Sequence, residues 1–344
     1  MFRADDRTSL CERASMPRRG WEVRRTSALL LLSLLAAALF AGCLNAGQAV
    51  RSVEDSVQAA SNVSAQPAHK STSGGGGVPE ATVGAASHIE GDLAGAADAS
   101  SGLPFVAKAQ TSSGSGYDAD TVLAVRYGVY EDYERAVIDL GTGWEPAGAV
   151  PEWALASPEG NGLLRVTLPS AGATCVSNGE FGDGLLESFH VVRAPEGGMF
   201  VDFFAREAFL YRVFELGDPA RLVVDFKPAG RDPKVPLPAE DGNTVLVEPR
   251  PHARISDPLT VSGYSRNFEA ANIITLIDSS GKVLLRRTVR SNDWNHTWGY
   301  FEATLDLPPF SGKGTLKVGT EGAHNGPFKG TKIPVWAGRD RRGF

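Results

Sequence analysis

The sequence predicts an all-β protein: two small β-sandwiches carried behind an export leader and a long unstructured tether. Three observations point there. From Thr121 onward, short runs rich in branched and aromatic residues recur, bounded by Gly, Pro, Asp or Asn. No long stretch with a 3.6-residue apolar period competes with them. Between Leu44 and Pro104, by contrast, there is no aromatic residue at all.

The leader comes first. Arg18, Arg19, Arg24 and Arg25 precede the charge-free run Ala28–Phe40. That run is too short to span a bilayer, which takes about 20 apolar residues. It suits the apolar region of a secretory signal, of about 7–15 residues. Ala41-Gly42-Cys43 then resembles the lipobox of bacterial lipoproteins, with Phe40 where the box usually has Leu. The resemblance implies that residues 1–42 are removed and that Cys43 is the lipid-attachment residue. It implies a cell-membrane location on the extracytoplasmic face, and the absence of Phe-Leu-Lys after the arginine pairs favours the general secretion route over a twin-arginine one. The membrane would then be a partner through acyl chains, two of which anchor stably where one is marginal. Met1 and Met16 are alternative starts.

Charge excludes some partners. The chain carries 34 basic and 40 acidic residues. Residues 1–42 hold seven and four of these, leaving 27 basic against 36 acidic and a net charge of −9. Such a balance argues against nucleic acid, which a basic patch would serve. With Cys11 removed and Cys43 lipidated, no disulfide pair remains, and Cys175 reads as a buried or idle thiol.

Residues 43–116 read as lipidated Cys plus disordered linker, because so few bulky apolar groups cannot offset chain entropy. About 60 residues of flexible coil would span roughly 45 Å. The first folded block covers residues 117–230, with strand-like runs at Val122–Tyr127, Arg135–Leu140, Leu163–Leu168, Met199–Phe204, Tyr211–Leu216 and Arg221–Phe226. Arg221 and Asp225, four apart on one strand face, suggest a salt bridge. Residues 231–244, within the Pro- and charge-rich stretch Lys227–Asn243, read as a linker between units with separate cores. The second block, residues 245–344, has runs at Ala253–Val261, Asn272–Asp278, Val283–Val289, Tyr300–Leu305, Gly314–Val318 and Thr331–Val335. Asp278-Ser-Ser-Gly281 reads as a hairpin turn, Pro258 and Gly263 as strand boundaries, and Phe268 as core.

Two resemblances follow. Val125-Arg-Tyr-Gly128, Tyr133-Glu-Arg-Ala-Val-Ile-Asp-Leu140 and Tyr211–Phe226 are similar to the AMIN-like domain of exported actinobacterial proteins. That likeness implies a β-sandwich and a role in wall attachment or localisation. Ile255–Gly263, Asn267–Ala270, Trp298-Gly-Tyr-Phe301, Gly322–Gly326 and Ile333-Pro-Val335 resemble the immunoglobulin-like domain of bacterial spore germination proteins. It implies a second sandwich and a setting, but no reaction.

Catalytic signatures are missing. The histidines show no metal-ligand spacing, and there is no Gly-x-Ser-x-Gly elbow, phosphate loop or Ser-x-x-Lys. No metal and no cofactor are expected, and the chain reads as a non-enzyme. The chemically richest stretch is Asn292-Asp-Trp-Asn-His-Thr-Trp-Gly-Tyr300. Trp294, Trp298 and Tyr300 could stack on sugar rings while Asp293 and His296 bond hydroxyls, although aromatics at a strand entrance also pack on cores. The expectation is a membrane-anchored envelope lipoprotein that binds peptidoglycan or an envelope protein, in wall organisation or spore germination. The alternative is an accessory component of a cell-wall hydrolase or transpeptidase with an unrecognised active site.

Overall fold

The computed structural model describes residues 87–88, 96–157, 162–230, 234–321 and 326–338. The leader, Cys43 and most of the tether lie outside them. The described chain is all-β, apart from one α-helical turn and a short 3-10 turn.

The principal strands of the first block are β1 Thr121–Val129, β2 Glu134–Thr142, β3 Trp153–Ala156, β4 Leu163–Leu168, β5 Leu186–Arg193, β6 Met199–Ala205, β7 Phe209–Leu216 and β8 Arg221–Pro228. Those of the second are β9 Thr244–Glu248, β10 Leu259–Ser265, β11 Ala271–Asp278, β12 Val283–Arg290, β13 Trp298–Leu305, β14 Gly312–Glu321 and β15 Phe328–Ala337. The expected runs are all present, with Ala253–Val261 divided between a short strand at Arg254–Ile255 and β10. Strands β3, β5 and β9 were not anticipated.

Three sheets result. The first runs β1-β2-β8-β7 and the third β15-β14-β11-β12. Between them lies one continuous sheet, β9-β10-β13-β5-β6-β4-β3, lengthened at its β9 end by Ala239–Asp241. The stretch expected as a linker therefore contributes a strand. The blocks are joined by a short parallel pairing of β5 with β13, Val192 opposite Trp298 and Arg193 opposite Gly299.

Each block has its own core. Leu164, Val166, Phe189, Val201 and Phe203 pack against the first sheet's Ile138, Tyr211, Val224 and Phe226. Ile274, Leu276, Leu316, Val318, Ile333 and Val335 meet Val261 and Phe301 in the second. A third cluster seals the junction: Leu163, Val192, Phe200 and Phe204 with Val245, Tyr264 and Trp298. Alternation explains the arrangement, because successive strand residues point to opposite faces. Val201 and Phe203 of β6 enter the first core while Phe200 and Phe204 enter the junction. Strand β6 is thus buried throughout, as its near-continuous apolar run requires.

Asp202 interrupts that run, and burying its charge demands partners. Arg165 supplies a two-pronged pair at 2.8 Å on each oxygen. The Tyr264 hydroxyl donates a third bond from the second block.

Two expectations are corrected on the first sheet. Asp225 does not pair with Arg221, whose Nε donates to the Pro219 carbonyl. It accepts instead from Arg135 at 2.6 and 2.9 Å and from Arg212 at 2.8 Å, on the neighbouring strands β2 and β7. The end of the expected disordered linker is also ordered. Ala96–Ser100 form a helical turn, and Ala96 and Ala99 pack on Val137, Phe214, Leu216 and Val223. Alanine favours helix, and its small side chain lets the turn lie close on a sheet face. In the second block, Gly263 lies inside β10 and not at its end. A Cβ there would lie 2.1 Å from the Val245 carbonyl oxygen.

Candidate functional site

The loop between β12 and β13 is the stretch singled out for binding, and the fold divides its residues between two tasks. Asp293 holds the loop. One carboxylate oxygen accepts the backbone N–H groups of Trp294, Asn295 and His296 at 2.7, 3.0 and 3.2 Å. The other faces Arg193 of the first block at 3.4 Å. Burial pushes the pKa of Asp293 up, but these N–H groups and Arg193 outweigh it and hold the carboxyl below its usual value. Asn292 adds to the clamp, donating to the Arg193 carbonyl at 3.0 Å and accepting from the Tyr300 N–H at 2.8 Å. Gly299 must stay a glycine, since a Cβ would lie 2.0 Å from the Asp293 carbonyl oxygen.

Trp298 belongs to the junction core, at 3 % exposure. Its indole N–H donates to the Asn178 side chain at 3.2 Å, and its ring meets His190 edge-on. Tyr300 packs edge-on against Phe200 and donates its hydroxyl to Glu302. Burial, and then that carboxylate, push the Tyr300 pKa up to about 12. Among the residues expected to bind a ligand, Asp293, Trp298 and Tyr300 are therefore engaged by the fold. Trp294 and His296 remain partly exposed.

Trp294 has a neighbour that the sequence reading placed in the core. Phe268 is 71 % exposed and meets the Trp294 ring edge-on at 5.1 Å. The turn that presents it is strained. Glu269 and Ala270 have φ of 54° and 59°, the left-handed region that non-glycine residues rarely adopt. Buried amides hold the turn there. Asn267 donates to Thr244 and Asn272 at 3.0 and 2.8 Å, and Asn272 donates to the Ala270 carbonyl at 3.2 Å. The Ser291 N–H reaches the same carbonyl at 3.0 Å. The outcome is an aromatic corner on a rigid base, edged by Asn295 and His296. Its ring faces and polar rim suit stacking on a sugar or an apolar side chain. No local sequence signal marks Phe268 as outward-facing, because the turn is fixed by amides contributed from other strands.

Among the described residues, no cluster of His, Cys, Asp and Glu side chains could hold a metal. Cys175 is not a free thiol, which corrects the expectation of an idle one.

The corner thus sits on an immunoglobulin-like sandwich, a fold whose loops cluster at its two ends. Residues 244–327 match the family described as the immunoglobulin-like domain of bacterial spore germination. No curated protein and no solved structure matches the chain.

Proposed function

We propose that this is a non-catalytic envelope lipoprotein that binds a wall glycan at the Phe268–Trp294 corner. The observation that carries the reading is the exposed Phe268 ring, held up by a strained turn against the partly exposed Trp294. Such strain persists only where the surroundings over-determine it, and it gathers at functional positions. The apolar run ending in Ala41-Gly42-Cys43 supports a membrane anchor on Cys43, outside the cell. The likeness of the first block to AMIN-like domains supports a setting at the wall. The match of the second block supports, following that family's description, a role in spore germination.

Sedimentation with purified peptidoglycan, alongside a muropeptide-release assay, tests this. Phe268→Ala and Trp294→Ala should each lower the bound fraction severalfold while leaving the fold intact. Unchanged wall binding in both variants would remove the corner from the reading. Muropeptide release by the wild type would favour the enzymatic alternative, and pull-down of an envelope protein without peptidoglycan would favour a protein partner. For the anchor, Cys43→Ser should leave the protein unprocessed or released. A processed variant still bound to membrane would contradict it.

A further inference from the structure

The solvent face of the third sheet carries a charge pattern that the aromatic corner does not explain. Pairing register sets Arg286, Thr275, Lys317 and Lys332 side by side across β12, β11, β14 and β15. Residues directly opposite in an antiparallel ladder share a face. Two further cations lie on it, Lys313 opposite Trp336 and Arg290 opposite Ala271. Glu321 is the carboxylate on this face, and it is engaged by Arg286 at 2.7 Å. Among the described residues, Lys313, Lys317 and Lys332 have no carboxylate within ion-pair distance. This concentration stands out in a chain of net charge −6.

Protection of a sheet edge accounts for only part of it. Strand β12 is an edge strand, where basic residues prevent stray pairing. Lys317 is on an interior strand and needs no such role, whereas Lys332 lies on β15 away from that strand's short outer pairing at Trp336 and Ala337. They are also directly opposite one another, a like-charge placement that destabilises a sheet. The ring of Phe328 lies 4.3 Å from one ammonium and 5.5 Å from the other, which partly offsets the repulsion. A fold that keeps these two ammoniums side by side, with the neighbouring Glu321 carboxylate already committed to Arg286, presents a site for negative charge.

We propose that this face binds a linear polyanion of the phosphodiester type. With strands about 4.8 Å apart, the row from Arg286 to Lys332 is about 14 Å long, a line of charge suited to an extended chain. Half-exposed Trp336 beside Lys313 offers a ring to the polymer's spacer groups. The row from Arg286 to Lys332 includes neither Phe268 nor Trp294, so each site can fail without the other.

Binding of the purified protein to poly(glycerol phosphate), measured by calorimetry at 50–200 mM salt, tests the proposal. Affinity should fall steeply with salt, with a slope of about −0.7 per phosphate contact. Lys317→Glu/Lys332→Glu should weaken binding at least tenfold at low salt and flatten the slope. Lys317→Gln/Lys332→Gln should weaken it less. Arg287→Glu, opposite core-facing Ile274 and so on the other side of β12, should leave it unchanged. The proposal is overturned if the glutamate pair binds like the wild type, or if Arg287→Glu weakens binding equally. It is overturned too if vesicles of phosphatidylglycerol are bound and the polymer is not. Trp294→Ala should keep full polymer affinity, which separates this site from the glycan corner.

Discussion

Tyr264 and Asp202 meet at the bottom of the junction, 62 positions apart in the chain and both without solvent exposure. The tyrosine comes from the second block and the aspartate from the first, and Arg165 completes the set. Burial and the Asp202 charge push the Tyr264 phenol well above its usual pKa, so it stays a donor. The contact ties the two cores to one another chemically as well as by packing.

Removing the donor should be milder than removing the charge. Tyr264→Phe takes away one charged hydrogen bond and should cost about 1.5–3 kcal/mol. Asp202→Ala leaves Arg165 without its counter-charge and should cost about 3 kcal/mol or more. Urea unfolding of both variants measures the order. A larger loss for Tyr264→Phe would mean that the hydroxyl, not the carboxylate, organises the junction.

The two loop tryptophans should separate on stability. Trp298→Ala empties a junction position filled by a large ring and should cost about 3–5 kcal/mol. Trp294→Ala should cost under about 1 kcal/mol, as a partly exposed residue whose main ring partner is also exposed. Thermal melts decide it, and equal losses would make the corner structural.

Acid should loosen the clamp around Asp293. Its pKa is lower folded than unfolded, so its contribution is complete above the ordinary carboxylate range near 4. It is lost as pH falls through the folded value. Asp293→Asn should flatten the acid side of a stability–pH curve and leave its neutral dependence unchanged. A curve superimposable on the wild type would show that the lowered pKa has no bearing on stability.

A fragment of residues 239–344 should fold as β-structure but melt well below the longer chain. Alone, it exposes Val245, Tyr264 and Trp298, which Phe200 and Phe204 otherwise cover. Equal melting temperatures would show that the junction adds nothing.

Much of this fold was legible because solvent-facing and core-facing residues alternate. The run Asn272–Asp278 reads as a strand, and its turn has the Asp278 carboxylate accepting the Ser280 and Lys282 N–H groups. Strand β5 was not legible. Glu187, Ser188, His190 and Arg193 break its apolar pattern, and His190 is buried only because the second block covers it. The Arg221–Asp225 expectation failed on distance. Residues four apart on a strand are about 13 Å apart, whereas cross-strand neighbours lie about 5 Å away. Register, which is invisible in one strand, chose Arg135 and Arg212. Phe268 misled for a similar reason, since its exposure depends on amides that other strands deliver.

The parallel pairing of β5 with β13 has a mechanical meaning. Because one sheet runs unbroken through both sandwiches, a pull or a twist between them is met by backbone hydrogen bonds. A load taken up at the Phe268–Trp294 corner passes through β13 to β5 by backbone hydrogen bonds, and reaches the first sheet and the helical turn upon it only through the packed core. The fold therefore keeps the two sandwiches at a set spacing, as a ruler keeps its marks.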